Sequence, residues 1–287
     1  MNIQVRNIVF LGAAVSALGL WAGGCSEKDV PFVSDINHMM QFLDRTEAGQ
    51  DLFRWDSLII PADYTLPFTT AVFRDSVVGH TRSNQFDSIR YEEFGVPVGN
   101  QPACNFKISD TYDVRTRKID GVDTTYVDDR RTIVRSGKFV KLGSDFEDFL
   151  GWSLWSFAGR DLLSPVAPTI QVTTTFQPIG QSAVAVNQDR LVRLTESRTI
   201  AGGTNVILKT ISNTADSLRE PAVILSAEDI SGFVQRSMIR VDRDHYLDTL
   251  KTPANNKRLW NLILVQTFHD TEFFFTGGFI IPYRVPQ

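Results

Sequence analysis

Four ionisable side chains, Asp242, Asp244, His245 and Asp248, fall within one short segment, VDRDHYLD. Alternate residues of a strand share a face, so a strand here would place Asp242 and Asp244 side by side as oxygen ligands for a hard cation, with His245 next to them. A polar loop after a strand over 233–241 explains the same residues without an ion, because the spacing of a calcium loop is missing. Asp120, Asp123, Asp128 and Asp129 make a second acidic group. Turn chemistry and cross-strand pairing account for these, since a hairpin would hold them apart. Neither group implies a metal or a cofactor.

Aromatic residues offer another chemistry. Trp152, Trp155 and Phe157 lie close together, and in a regular strand Trp155 and Phe157 would share one face and Trp152 the other. Facing solvent, Trp155 and Phe157 would stack on sugar rings; facing inward, they would be ordinary core. The remaining histidines, His38, His80 and His269, stand apart from one another in the sequence. The chain has no G-x-S-x-G nucleophile elbow, phosphate loop, dinucleotide fingerprint or zinc-binding H-E-x-x-H helix. A catalytic constellation assembled by the fold stays open, because triads are defined by geometry and not by spacing.

The elements that must position these residues are mostly strands. Ile36, Met39, Met40 and Leu43 repeat at helical spacing behind Ser34 or Asp35 as a cap, and Thr46 is placed to cap a second short helix that includes Ala48, Leu52, Phe53 and Trp55. From Leu58 onward, β-branched and aromatic residues alternate with polar ones. Residues 112–119 and 122–129 read as a hairpin through Asp120-Gly121, a favoured type I′ pair; this register sets Thr116 against Thr125 and Val114 against Val127. A further hairpin is expected through Ser136-Gly137. Residues 259–265 (LWNLILV) read as a central strand buried on both faces, and residues 272–281 as a final strand with a bulge at Gly277-Gly278, closed off by Pro282 and Pro286. This C-terminal pair is expected to be integral to the core. Segment 164–168 (SPVAP) is the candidate linker, joining either two domains or two sheets of one. The expected class is mainly β, an antiparallel sandwich-like fold with a short helical segment after an N-terminal tether.

The N-terminus is the most specific signal. Arg6 precedes a nearly unbroken apolar run from Ile8 to Trp21, then Ala22-Gly23-Gly24 and Cys25. Such a charged start, apolar stretch and small-residue site form a secretory signal. The run is short for a membrane-spanning helix. With a cysteine directly after the small residues, the segment resembles a bacterial lipoprotein signal. That resemblance implies cleavage after residue 24, acylation of Cys25 (palmitate included) and a lipid anchor in the membrane; Ser26 resembles an outer-membrane address. The expected organisation is therefore a signal over 1–24, a lipid-anchored tether with short helices over 25–57, and an all-β domain over 58–287. Acylation would leave Cys104 without a partner, as a small buried apolar residue; without it, a Cys25–Cys104 disulfide becomes possible in an oxidising periplasm.

Composition bounds the rest. The 287 residues are 43% hydrophobic, enough for a sizeable core, and the net charge of −4 argues against a nucleic-acid partner. The leading expectation is a cell-envelope lipoprotein with a non-enzymatic structural or binding role, its partner an envelope protein or a glycan. The alternatives are a secreted hydrolase or lyase acting on polysaccharide and a carbohydrate-binding surface module.

Overall fold

Long alternating segments have become long strands. The computed structural model describes residues 33–54, 63–66, 69–162, 171–187, 191–213, 222–229, 232–242, 244–254, 258, 260–269 and 274–286. Helices α1 (Val33–Arg45) and α2 (Glu47–Phe53) come first. Thr46 caps α2 as its sequence indicates, its Oγ1 accepting from the Gly49 N–H at 3.0 Å. Asp35 lies within the first turn of α1 and accepts from the Trp152 indole N–H at 3.0 Å.

The larger sheet follows the order β1 (Asp63–Thr65), β2 (Val72–Phe86), β4 (Asn100–Asp120), β5 (Asp123–Lys141), β6 (Trp152–Leu162), β16 (Phe274–Tyr283), β15 (Asn261–His269), β11 (Ala222–Asp229), β12 (Gly232–Ser237). Short strands β3 (Arg90–Glu93) and β9 (Val192–Arg193) pair with β4 and β6. A second sheet runs β13 (Ile239–Arg240), β14 (His245–Lys251), β10 (Asn205–Asn213), β7 (Gln171–Pro178), β8 (Val184–Asn187). Pairing within both sheets is antiparallel. The larger sheet curls until its ends approach, where Ser237 Oγ donates to the Thr65 carbonyl at 2.6 Å.

One cluster fills the curl: Met39, Leu43, Leu52 and Phe53 of the helices meet Phe106, Ile108, Phe139 and Phe157. The second sheet packs against the same large sheet from the other side, with Val206, Leu208 and Tyr246 meeting Val223, Leu225, Ile263 and Val265. Strand β15 therefore serves both clusters. Leu262 and Leu264 face the helices, Ile263 and Val265 face the second sheet, and so its apolar run is continuous. β15 and β16 lie in the middle of the larger sheet, as expected of an integral C-terminal pair.

Several local expectations are corrected. The β4–β5 hairpin turns through Gly121 and Val122, not through Asp120 and Gly121. Asp120 pairs with Asp123, Thr116 with Val127 and Val114 with Asp129. Gly121 alone takes a positive φ, +60°, which suits a type II′ turn with glycine first; the type I′ alternative would force Asp120 to positive φ as well. No turn forms at Ser136-Gly137, because β5 runs straight through it. A Cβ on Gly137 would lie 2.6 Å from the Phe106 ring, so the glycine admits an aromatic neighbour instead of bending the chain. Residues 233–241 do not form one strand. Met238, buried, separates β12 in one sheet from β13 in the other, and its N–H donates to the Val223 carbonyl.

Near the C-terminus, register shifts where Thr267 pairs with Gly277 and Phe268 with Phe275, beside the expected bulge. Pro282 does not end pairing; it sits opposite Leu262, beyond the ladder from β16 to β6 at 278–280, where a missing N–H is tolerated. Trp55, segment 164–168, residues 270–273 and the 57/58 boundary lie outside the described residues. The strands flanking 164–168, β6 and β7, belong to different sheets.

Candidate functional site

On β4, the inward positions are Cys104, Phe106, Ile108, Asp110, Tyr112, Val114 and Thr116, all buried. Among these apolar residues Asp110 is fully buried, and β5 contributes the equally buried Arg135. Their side chains pair directly. Arg82 from β2 adds two bonds to Asp110, from Nε at 2.7 Å and Nη2 at 3.0 Å, and His80 Nε2 lies 2.9 Å from the same carboxylate. Both guanidinium groups also reach the end of α2. Arg135 Nη1 donates to the carbonyls of Leu52 (3.2 Å) and Arg54 (2.8 Å), and Arg82 Nη2 to that of Phe53 (2.6 Å). Carbonyls at a helix C-terminus lack intrahelical donors and carry partial negative charge, so two cations fit there. Burial acts to raise the Asp110 pKa, but bonds from Arg82, with Arg135 and His80, outweigh it and hold the carboxyl below the usual range. Burial draws the Arg135 guanidinium down despite Asp110.

A second buried group lies farther along the same face. Asp75 accepts from Arg131 (2.8 Å), Thr116 (2.7 Å) and Tyr64 (3.2 Å). Burial, reinforced by Asp75, pushes the Tyr64 phenol well above its ordinary value. Arg131 keeps its charge: burial acts to lower its pKa, but Asp75, with Tyr64 and Asp129, outweighs it and raises the value. Sequence inspection missed both groups. Their signal is a charge at an inward position of an otherwise apolar alternation, Asp110 in β4 and Arg131 and Arg135 in β5.

The opposite face of these strands is open and chemically different. Trp155 is the extra residue of a bulge, since Lys138 pairs with Ser156 and Phe139 with Leu154. The expected grouping of Trp155 with Phe157 therefore fails. Beyond the bulge Phe157 turns inward to join Trp152 and Leu154 in the core, while Trp155 faces out. Phe94 meets Trp155 edge-on at 5.2 Å, and the Arg193 guanidinium lies 5.6 Å over the indole. Lys138 Nζ stands 5.9 Å above Phe94 and pairs with Glu92. Glu92 in turn borders a cavity of about 430 Å³, together with Arg90, Asn105, Asp87 and Ser88. Pairing across β3, β4 and β5 aligns Arg90 with Ala103 and Asn105 with Lys138, so the short edge strand walls this cavity. The arrangement offers a polar recess with an aromatic platform reached through Lys138, suited to binding a polar ligand with a flat apolar face.

The other sequence candidates separate. Asp242 and Asp244 lie in the turn before β14, not along a strand. Asp242 Oδ1 sits 2.6 Å from His245 Nδ1 and accepts the backbone N–H groups of Asp244 and His245. The His245 contact foremost draws Asp242 below its usual pKa. Asp248 is engaged elsewhere, in a two-point pair with Arg236. Among the described residues, no group of three or more His, Cys, Asp or Glu is placed to hold a metal ion. Nor does the second acidic group converge: Asp128 pairs with Arg115, and Asp120 lies 4.0 Å from Lys118. Cys104 is buried with a free thiol, which donates to the Asp87 carbonyl; burial, then Asp87, pushes its pKa up to about 11. No helix among the described residues is long and apolar enough to cross a membrane.

No protein-family model, curated protein or solved structure matches this chain.

Proposed function

We propose that this protein is a lipid-anchored cell-envelope protein, attached to the outer membrane through Cys25, whose β module binds a partner and performs no catalysis. One observation carries the reading. The helical pair that follows the tether is locked into the middle of the curled sheet by Arg82 and Arg135, which donate to the carbonyls of Leu52, Phe53 and Arg54 and are themselves held by Asp110. A buried carboxylate and two arginines thus hold the anchored end of the chain to the domain. An anchor passes load to that end, and buried charge-assisted bonds resist it better than exposed ones. Acyl chains give the stable attachment that a single weak signal does not. Cys25→Ser is expected to leave the protein unprocessed or soluble in cell fractionation; mature mutant protein that stays with membranes like wild type defeats the reading.

A carbohydrate-binding role is the second reading, favoured by outward-facing Trp155 beside Phe94 and the 430 Å³ recess. Binding to envelope glycans that is lost in Trp155→Ala, with the melting temperature kept, supports it. A hydrolase or lyase is less favoured, because the Asp242–His245 pair lies on an exposed turn and Asp110 is enclosed by cations.

A further inference from the structure

The loop over 142–151 lies where the anchored chain enters the domain. Its two ends are tied, the N–H groups of Leu142 and Gly143 both donating to the Gly151 carbonyl at 3.0 and 3.1 Å. Such a closed surface loop is a self-contained unit. It is also fastened to α1. The Phe149 ring meets Phe42 at 5.3 Å, and Trp152, directly after the loop, binds Asp35 in the first turn of the helix. Phe149 and Leu150 hold positive φ, 55° and 54°, which L residues with bulky side chains rarely adopt. That conformation keeps Phe149 and Leu150 against the core cluster and the helix. At the tip, however, Phe146 is fully exposed, and Leu142 at the base is half exposed.

Residues 25–32 separate Cys25 from α1, a reach of at most roughly 30 Å even when extended. A lipid on Cys25 therefore confines the start of α1, and the loop fastened beside it, to the vicinity of the bilayer. The loop is acidic, with Asp145, Glu147 and Asp148 against Lys141 at its base, so a zwitterionic surface suits it better than an anionic one: Lys141 pairs with Asp145, and Glu147 accepts the Ser144 N–H within the loop. We propose that loop 142–151 rests on the phosphatidylethanolamine-rich surface of the membrane that holds the anchor, with Phe146 entering the headgroup layer. The inference rests on the anchoring of Cys25. It also orients the molecule. The far end of β5, at the turn containing fully exposed Val122, lies about 60 Å of strand from Lys141, given some 3.3 Å per residue over 19 residues. That tip points away from the bilayer.

The test uses the full, lipid-modified protein on vesicles of phosphatidylethanolamine with a minor share of phosphatidylglycerol. Phe146→Cys and Val122→Cys each receive an environment-sensitive fluorophore. Both side chains are fully exposed, so neither change removes packing, and the buried Cys104 thiol, with its raised pKa, resists labelling at neutral pH. The label at position 146 is expected to shift to the blue on vesicles and to be quenched by nitroxide lipids, and the label at 122 to do neither. Flotation with vesicles but no shift at 146, or equal shifts at both positions, overturns the loop contact while anchoring stands. Failure to float removes the anchor and the inference with it.

Discussion

Two arginine–aspartate pairs on the same sheet share one geometry and occupy opposite worlds. Arg82 grips Asp110 from Nε at 2.7 Å and Nη2 at 3.0 Å; Arg115 grips Asp128 through the same atoms at the same distances. Asp110 faces into the curl with no exposure, whereas the Arg115 and Asp128 side chains are 52% and 64% exposed. Bond lengths thus say nothing about what each pair contributes. Outside, water solvates either partner alone, and salt screens the attraction. Inside, Asp110 and Arg135 have given up their hydration, so loss of one strands the other. On the inward face of β2, β4 and β5 a lost partner leaves a charge buried, and on the outward face pairing is optional.

Asp110→Ala puts the sharpest strain on this contrast. It leaves Arg135 fully buried opposite a small apolar side chain and removes the counter-charge that holds both guanidinium groups at the α2 carbonyls. A loss of about 3–5 kcal/mol is expected from breaking a buried pair on one side, read as a lowered denaturation midpoint. If the variant is as stable as wild type, the inward network is decorative and the comparison falls. The helical pair should loosen first, which hydrogen exchange at α2 amides would show.

Gly137→Ala probes the inward face without touching charge. The added methyl would stand 2.6 Å from the Phe106 ring, itself packed on Phe53, Phe86 and Phe139. Overpacking of a dense core costs about 1–3 kcal/mol. A neutral result in thermal melting would show that the aromatic cluster has slack.

Acid titration tests the same face by another route. Because bonds from Arg82, Arg135 and His80 overcome the opposing effect of burial, Asp110 has a lower pKa folded than its ordinary value of 3.8. The unfolded chain therefore takes up the proton first as pH falls. The contribution of Asp110 is complete above that ordinary value and drains away as pH falls through it toward the folded pKa. Asp110→Asn is expected to flatten the wild-type loss of stability below about pH 4, measured by denaturation across acidic pH. Parallel wild-type and variant curves would place the acid sensitivity elsewhere.

How far the sequence disclosed this contrast follows from what each residue depends on. Thr46 announced its cap because capping is local, and the unbroken apolar run in β15 announced two covered faces because no other environment suits it. Signals that depend on a partner strand were misread. Asp120-Gly121 fits a type I′ turn, but the pairing adopted keeps positive φ at Gly121 alone and brings Arg115 opposite Asp128. Ser136-Gly137 carries turn residues, yet Gly137 answers to Phe106, more than thirty positions away. The Trp155 bulge moved Phe157 to the face opposite Trp155, and a one-residue insertion leaves no mark in an alternation pattern. Asp110 stood out only by its parity among apolar neighbours.

The smallest expected effect closes the comparison. Asp128→Asn removes the charge from the outward pair but preserves its size and much of its hydrogen-bonding capacity. The Arg115 hydrogen bonds, ahead of the opposing effect of desolvation, hold Asp128 below the ordinary carboxylate range. The pair is therefore formed and charged at neutral pH. Being formed is different from being needed: once Asp128 is neutral, Arg115 turns to water with no stranded charge left behind. The expected change in denaturation midpoint lies within experimental scatter at physiological salt. Any residual difference should shrink further as salt is raised, since screening acts on exposed charges most strongly. A destabilisation comparable to that of Asp110→Ala would mean that the outward face is covered in the working protein, for example by a bound partner or a second copy.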